Sequence, residues 1–153
     1  LRERSPTLGA PPHPEEHQPG AGTDVALGRP TTASTYQSDG YGGCPCTPAL
    51  ATDGRNDTRW ASTWADPQWL QVDLGSVRQL GHAQLVWESA YGKAYTIKVS
   101  DDGQNWRTAY ATSSGDGGVD DFDLSASGRY VRLELTRRGT GYGYSLFHFG
   151  VHG

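Results

Sequence analysis

The chain has 153 residues, 35% of them hydrophobic, and carries a formal charge of -4. That length is enough for one domain with its own hydrophobic core, and no apolar run approaches the roughly 18 residues of a membrane span. The acidic balance, with a pI near 5.6, excludes a general polyanion binder, because binding a phosphate backbone needs clustered positive charge.

Residues 1–23 hold five of the nine prolines and almost no periodic apolar residue. This composition predicts a linker or disordered tail, with the folded domain spanning 24–153. From Asp24 onward the period is two, which predicts strands. In WLQVDL the apolar set is Leu70, Val72 and Leu74. In GHAQLVWES it is Ala83, Leu85 and Trp87, and in AYTIKVS it is Tyr95, Ile97 and Val99. VDDFDL offers Val119, Phe122 and Leu124, and RYVRLELT offers Val131, Leu133 and Leu135. The closing SLFHFGVHG places Phe147, Phe149 and Val151 opposite Leu146, His148 and Gly150. Trp60 and Trp69 are assigned to the core. DDGQN, SSGDGG and ASGR supply turn chemistry between the runs. No helical stripe appears, so the reading is an all-β sandwich.

The two cysteines, Cys44 and Cys46, lie one proline apart. A disulfide and free thiols both fit this spacing. Zinc does not, because no second ligand pair exists. Asp120, Asp121 and Asp123 form an acidic run, but they head a strand after a Gly-rich turn and read as a solvated edge. No nucleophile motif accompanies the histidines. GTGYG precedes no helix that could cradle a phosphate.

Seven stretches carry a resemblance. They are VALGRPTTAS, ATDGRNDTRWAS, DPQWLQVDLG, WESAYGKAYTIKVSDDGQNW, GDGGVDDFDL, GRYVRLELT and TGYGYSLFHFGVHG. In this order and spacing the chain resembles the discoidin, or coagulation factor type C, family. Within it, the likeness is to bacterial family 32 carbohydrate-binding modules. The resemblance implies an eight-stranded jelly-roll β-sandwich that binds ligands on loops at one end. It implies a non-catalytic, secreted module that tethers a linked polysaccharide-active enzyme, such as a glycoside hydrolase, to a polysaccharide or oligosaccharide. The alternative is an adhesion module for protein or phospholipid. Neither reading involves nucleic acid, and the lack of an apolar loop cluster argues against a membrane.

The resemblance also implies one structural calcium ion. Its ligands map onto the Leu50 carbonyl, Asp53, the Arg55 carbonyl, Thr58 and the Phe147 carbonyl. His148 stands where a glutamate is usual, which weakens the set. For the sugar site, chemistry asks for an exposed aromatic against the apolar face of a pyranose and charged or amide groups at its hydroxyl rim. Tyr36, Gln37, Arg59, Trp64, Glu88, Tyr91, Arg137 and Tyr142 are the candidates, with Tyr142 as the leading stacking residue and Tyr144 packed below it. Gln37 replaces an acid present in chitosan-binding relatives, which lowers chitosan and leaves β-1,3-glucan and galactose-type sugars open.

Overall fold

The computed structural model describes residues 23–37 and 44–153. Of the expected tail over residues 1–23, residues 1–22 lie outside the described residues, as does the glycine-rich stretch around Tyr41. Seven strands are present: β1 Thr31–Ala33, β2 Trp60–Ala61, β3 Gln68–Trp87, β4 Gly92–Ser100, β5 Arg107–Thr112, β6 Val119–Arg138 and β7 Ser145–His152. One turn of 3-10 helix, Pro48–Ala51, precedes β2. Every pairing is antiparallel, in the order β2-β7-β3-β6-β4-β5, with β1 added beside β3.

Strands β3 and β6 have 20 residues each, several times the usual length. Their mutual register shifts between Asp73 and Arg78 and again between Leu80 and His82. Gly75 lies at the first break with φ 88, a conformation that glycine adopts without steric cost. At these irregularities each strand passes from one layer to the other. The 68–73 half of β3 pairs with 130–135 of β6 and with β1. The 82–87 half pairs with β7 and with the start of β6. The layers meet face to face, with the Trp87 ring 5.8 Å from Tyr95 and Tyr110 stacked on Phe122 at 3.8 Å. This is the expected all-β sandwich. Among the described residues seven strands are counted against the eight expected, and β3 and β6 each run through both layers.

The period-two sets of β3, β4 and β6 fill the core. Leu70, Val72, Leu74, Ala83, Leu85, Ile97, Leu133 and Leu135 are fully buried. Three expectations need correction. Trp69 is not core: it shares a face with Gln71, and the Arg132 guanidinium lies 4.7 Å from its ring and 4.8 Å from Trp106. Period two forbids both Trp69 and Leu70 from facing inward. Val119 is exposed at 58%. In β7, Phe147 yields its place to Leu146, because the ladder to β3 skips one residue between His148↔Val86 and Leu146↔Trp87. Such a bulge reverses the alternation beyond it. Leu146, Phe149 and Val151 therefore share the core.

The two ends of the domain are tied together. Val25 N–H donates to the Val151 carbonyl at 2.8 Å, and Gly153 N–H to the Thr23 carbonyl at 3.1 Å. Asp24 Oδ1 accepts the N–H groups of Ala26 and Val151. Its Oδ2 lies 3.4 Å from His148 Nε2. Burial opposes ionisation of Asp24, but the His148 contact and these backbone donors hold its pKa below 3.8. His152 is buried beside His82, with ring centroids 5.6 Å apart. Burial is the first cause that pushes the His152 pKa below 6.5; Asp24 opposes it, while His82 and His148 add to it. A depressed histidine pKa favours the fold only while the unfolded chain is also neutral. Its contribution is thus complete above pH 6.5 and is lost as pH falls through the folded value. Asp24 adds a second loss below 3.8. The urea midpoint is expected to fall between about pH 7.5 and pH 5, and His152→Gln is expected to flatten that slope.

Candidate functional site

A cavity of ≈ 220 Å³ opens at one end of the sandwich. Four chain segments build it, and backbone hydrogen bonds fix their positions. Ala61 pairs with Ser145 through β2 and β7. Gln37 N–H donates to the Ala61 carbonyl, Ser62 N–H to Tyr144, Glu88 N–H to Ser145 and Ser145 N–H to Ala90, all at 2.8–2.9 Å. Ser62 Oγ accepts the Tyr144 N–H at 2.9 Å. A Cβ on Gly143 would lie 2.6 Å from the Thr63 carbonyl oxygen and 2.7 Å from that of Ser62, so only glycine lets the two strands of the mouth approach this closely.

Trp64 and Tyr142 form the rim. Their ring centroids are 5.2 Å apart and their planes meet at 83°. The two rings are 48% and 55% exposed. The rings thus meet edge to face at a right-angled corner. Below it Arg59 Nη1 donates to Ser145 Oγ at 2.9 Å. Glu88 Oε1 accepts the Ala90 N–H at 3.3 Å. Arg59 and Glu88 both line the cavity, and among the described residues no ion pair joins them. The cavity thus holds a cation, an anion and the Gln37 amide, all able to make further hydrogen bonds. Tyr144 is fully buried, and its hydroxyl donates to Asp66 Oδ1. Burial, with Asp66 beside it, pushes its pKa well above the ordinary tyrosine range.

Of the candidates read from sequence, Gln37, Arg59, Trp64, Glu88 and Tyr142 come together in this cavity. Three do not. Tyr36 is exposed one residue before Gln37, outside the lining. Tyr91 is packed between loops: a Cβ on Gly139 or Gly117 would run into its ring. Arg137 is exposed at the end of β6, in register with Ala94. Sequence reasoning missed the side chains of Ala61, Ser62, Ser89, Ala90 and Ser145, which with Gly143 shape the wall largely through backbone and small side chains. The acidic run is also more than a solvated edge. Asp120 Oδ2 accepts Tyr95 Oη–H at 2.6 Å and Trp87 Nε1–H at 3.0 Å, while Asp121 and Asp123 flank His82. Cys44 and Cys46 form a disulfide, with Cα atoms 5.2 Å apart. The buried Cys46 accepts the Ala61 N–H at 3.3 Å and so backs the cavity wall.

A family model for the F5/8 type C domain matches residues 30–149. The chain belongs to the F5/8 type C domain family. Among solved structures, chitosan-binding module 1 of a chitosanase/glucanase from Paenibacillus sp. IK-5 is 43% identical, with a TM-score of 0.78; the match covers 86% of this chain and 99% of that one. Chitosan-binding module 2 of the same enzyme, solved with chitotriose, is 40% identical, also at a TM-score of 0.78, covering 84% and 99%. Among curated proteins, the polysaccharide lyase 8 family protein HylA of Enterococcus faecalis is 40% identical over 68 residues. That match takes in 44% of this chain and 5% of HylA, so the chain spans a small part of that relative.

The calcium ligands that the resemblance implies centre on Asp53 and His148. Asp53 Oδ1 accepts the Arg55 N–H at 3.0 Å, and Oδ2 accepts the Thr58 hydroxyl at 2.6 Å. The only carboxylate of the implied set thus already accepts two hydrogen bonds within its own loop. His148 turns Nε2 toward Asp24. Calcium takes six to eight oxygen ligands, several of them charged, and these residues do not fit that demand.

Proposed function

We propose that this F5/8 type C domain is a non-catalytic carbohydrate-binding module that holds a linked polysaccharide-active enzyme on its substrate. The observation that carries the reading is the Trp64–Tyr142 corner over a cavity containing Arg59, Glu88 and Gln37. Rings cover the C–H faces of a sugar, while the charged and amide groups pair with its hydroxyl rim. The likeness to two chitosan-binding modules at 40–43% identity supports a carbohydrate ligand, and the partial match to a polysaccharide lyase supports linkage to an enzyme. Secretion fits the disulfide, since such bonds persist in oxidising compartments. The acidic run is absorbed by Tyr95, Trp87 and His82, which supports a module without its own hydrolytic chemistry.

Glucosamine chains are the first ligand class, because the Glu88 carboxylate accepts a single backbone donor among the described residues and can pair with an ammonium. A second reading, a neutral β-1,3-glucan, is favoured by Gln37, whose amide gives hydroxyls both a donor and an acceptor. One shallow site should bind at about 10 μM to 1 mM, or roughly 4 to 7 kcal/mol, so retention would come from repeated sites along a polymer. A pull-down on chitosan, β-1,3-glucan and galactan, with liposomes in parallel, tests this. Retention on a polysaccharide is expected. Retention on liposomes alone would replace the reading with membrane adhesion.

The Asp53–Thr58 loop closes on its own hydrogen bonds in this account, without calcium. Adding a chelator is therefore expected to leave the thermal midpoint and polysaccharide retention unchanged. A midpoint that drops with chelator and recovers with calcium would contradict this.

A further inference from the structure

Resting on that sugar-binding reading, we infer that Arg138 and Asp66 form a clamp that positions the stacking ring of Tyr142 without touching the ligand. Tyr142 stands in a segment where Gly139, Gly141 and Gly143 alternate with other residues. Glycine-rich backbone loses much entropy when ordered, so a ring carried on it is pre-set only if something fixes the chain. Arg138 supplies that restraint. Its Nη1 reaches the Gly141 and Tyr142 carbonyls, both at 3.4 Å. These carbonyls belong to the two peptide units on either side of the Tyr142 Cα. Holding both limits φ and ψ at Tyr142 and so aims its side chain.

Asp66 completes the clamp from the opposite lip. Its Oδ2 accepts Arg138 Nε–H at 3.1 Å, and its Oδ1 accepts the buried Tyr144 hydroxyl. Asp66 lies two residues after Trp64, so one ion pair ties both halves of the aromatic corner together. Thr140 Oγ1 adds a third hold by accepting the Tyr142 N–H at 3.1 Å. An exposed ion pair by itself contributes little to stability. This one acts by fixing ring geometry before the ligand arrives, which saves ordering cost on binding.

The test is a double-mutant cycle read by calorimetry with a glucosamine trimer and a β-1,3-glucan trimer. Arg138→Met is expected to weaken binding at least about tenfold in the wild-type background. In a Tyr142→Ala background it is expected to change binding less than about twofold, because a residue acting through Tyr142 has nothing left to position. Arg138→Lys should recover only part of the loss, since an ammonium cannot hold Asp66 and two carbonyls as a planar guanidinium does. A circular dichroism spectrum like that of the wild type shows that each variant folds, and Arg138→Gln substitutes if Arg138→Met does not. Unchanged binding in Arg138→Met, or equal losses in both backgrounds, would overturn the clamp. If the wild type binds neither trimer, it is the sugar-binding reading that fails. The clamp is then read from Trp64 emission, taken by difference against Trp64→Phe. Arg138→Met must shift that emission as Tyr142→Ala does, and an unshifted spectrum overturns the clamp.

Discussion

Trp60→Ala is expected to remove about 3–5 kcal/mol of stability, the usual cost of emptying a large buried aromatic site. Trp60 is fully buried in the cluster that joins both layers, and its Nε1–H donates to the Thr35 carbonyl at 3.0 Å. Truncation leaves a cavity and an unpaired carbonyl together. Domains of this kind hold only about 5–15 kcal/mol in all, so the variant should unfold at much lower urea. The Thr35 contact also places the strand that leads to Gln37, so binding should weaken in whatever fraction stays folded. Trp69→Ala is the control. That ring lies half-buried on the outer face beneath Arg132, and losing such a cation–π contact costs about 0.5–2 kcal/mol. Urea unfolding of both variants checks the pair, and similar losses in the two would refute the assignment of Trp60 to the core and Trp69 to the surface.

The second large effect is on binding. Trp64→Ala is expected to lower affinity for the recognised oligosaccharide by about 70-fold. A sugar covering about 100 Å² of ring at ~25 cal/mol per Å² gains ~2.5 kcal/mol, which converts to that ratio. Tyr142→Ala should cost a similar amount. Both rings are about half exposed, so neither change should move the unfolding midpoint much. Titration calorimetry beside thermal melts separates the two effects. Affinity retained within about threefold in both variants would move the stacking surface elsewhere.

Much of this architecture was legible because a half-buried strand writes its face into the chain. Leu70, Val72 and Leu74 alternate with polar residues, and so do Val131, Leu133 and Leu135; both sets are core. Alternation misleads at two places. Trp69 cannot share the core with its neighbour Leu70, which claims the inward face. Strict alternation puts Phe147 in the core, and a bulge cannot be seen in SLFHF because the extra residue is defined by its partner strand. The site was legible through its exceptions. Gln37, Arg59, Trp64, Glu88 and Tyr142 are polar or aromatic residues at strand ends, where no core demands them. Tyr91 and Arg137 looked the same in sequence, and only the packing of Tyr91 beside Gly139 and Gly117 tells them apart. Ser62 and Ser145 were illegible because they act through backbone bonds and lack of bulk. The Asp66–Arg138–Tyr144 network spans more than 70 residues of sequence, and no local pattern announces it.

The most direct test is an NMR titration of the amide spectrum with the glucosamine trimer and, separately, the β-1,3-glucan trimer. Shifts confined to Gln37, Arg59, residues 61–64, 88–90 and 142–145 are predicted for at least one of them. Shifts centred on another part of the sandwich, or no shifts with either trimer at millimolar concentration, would contradict the account.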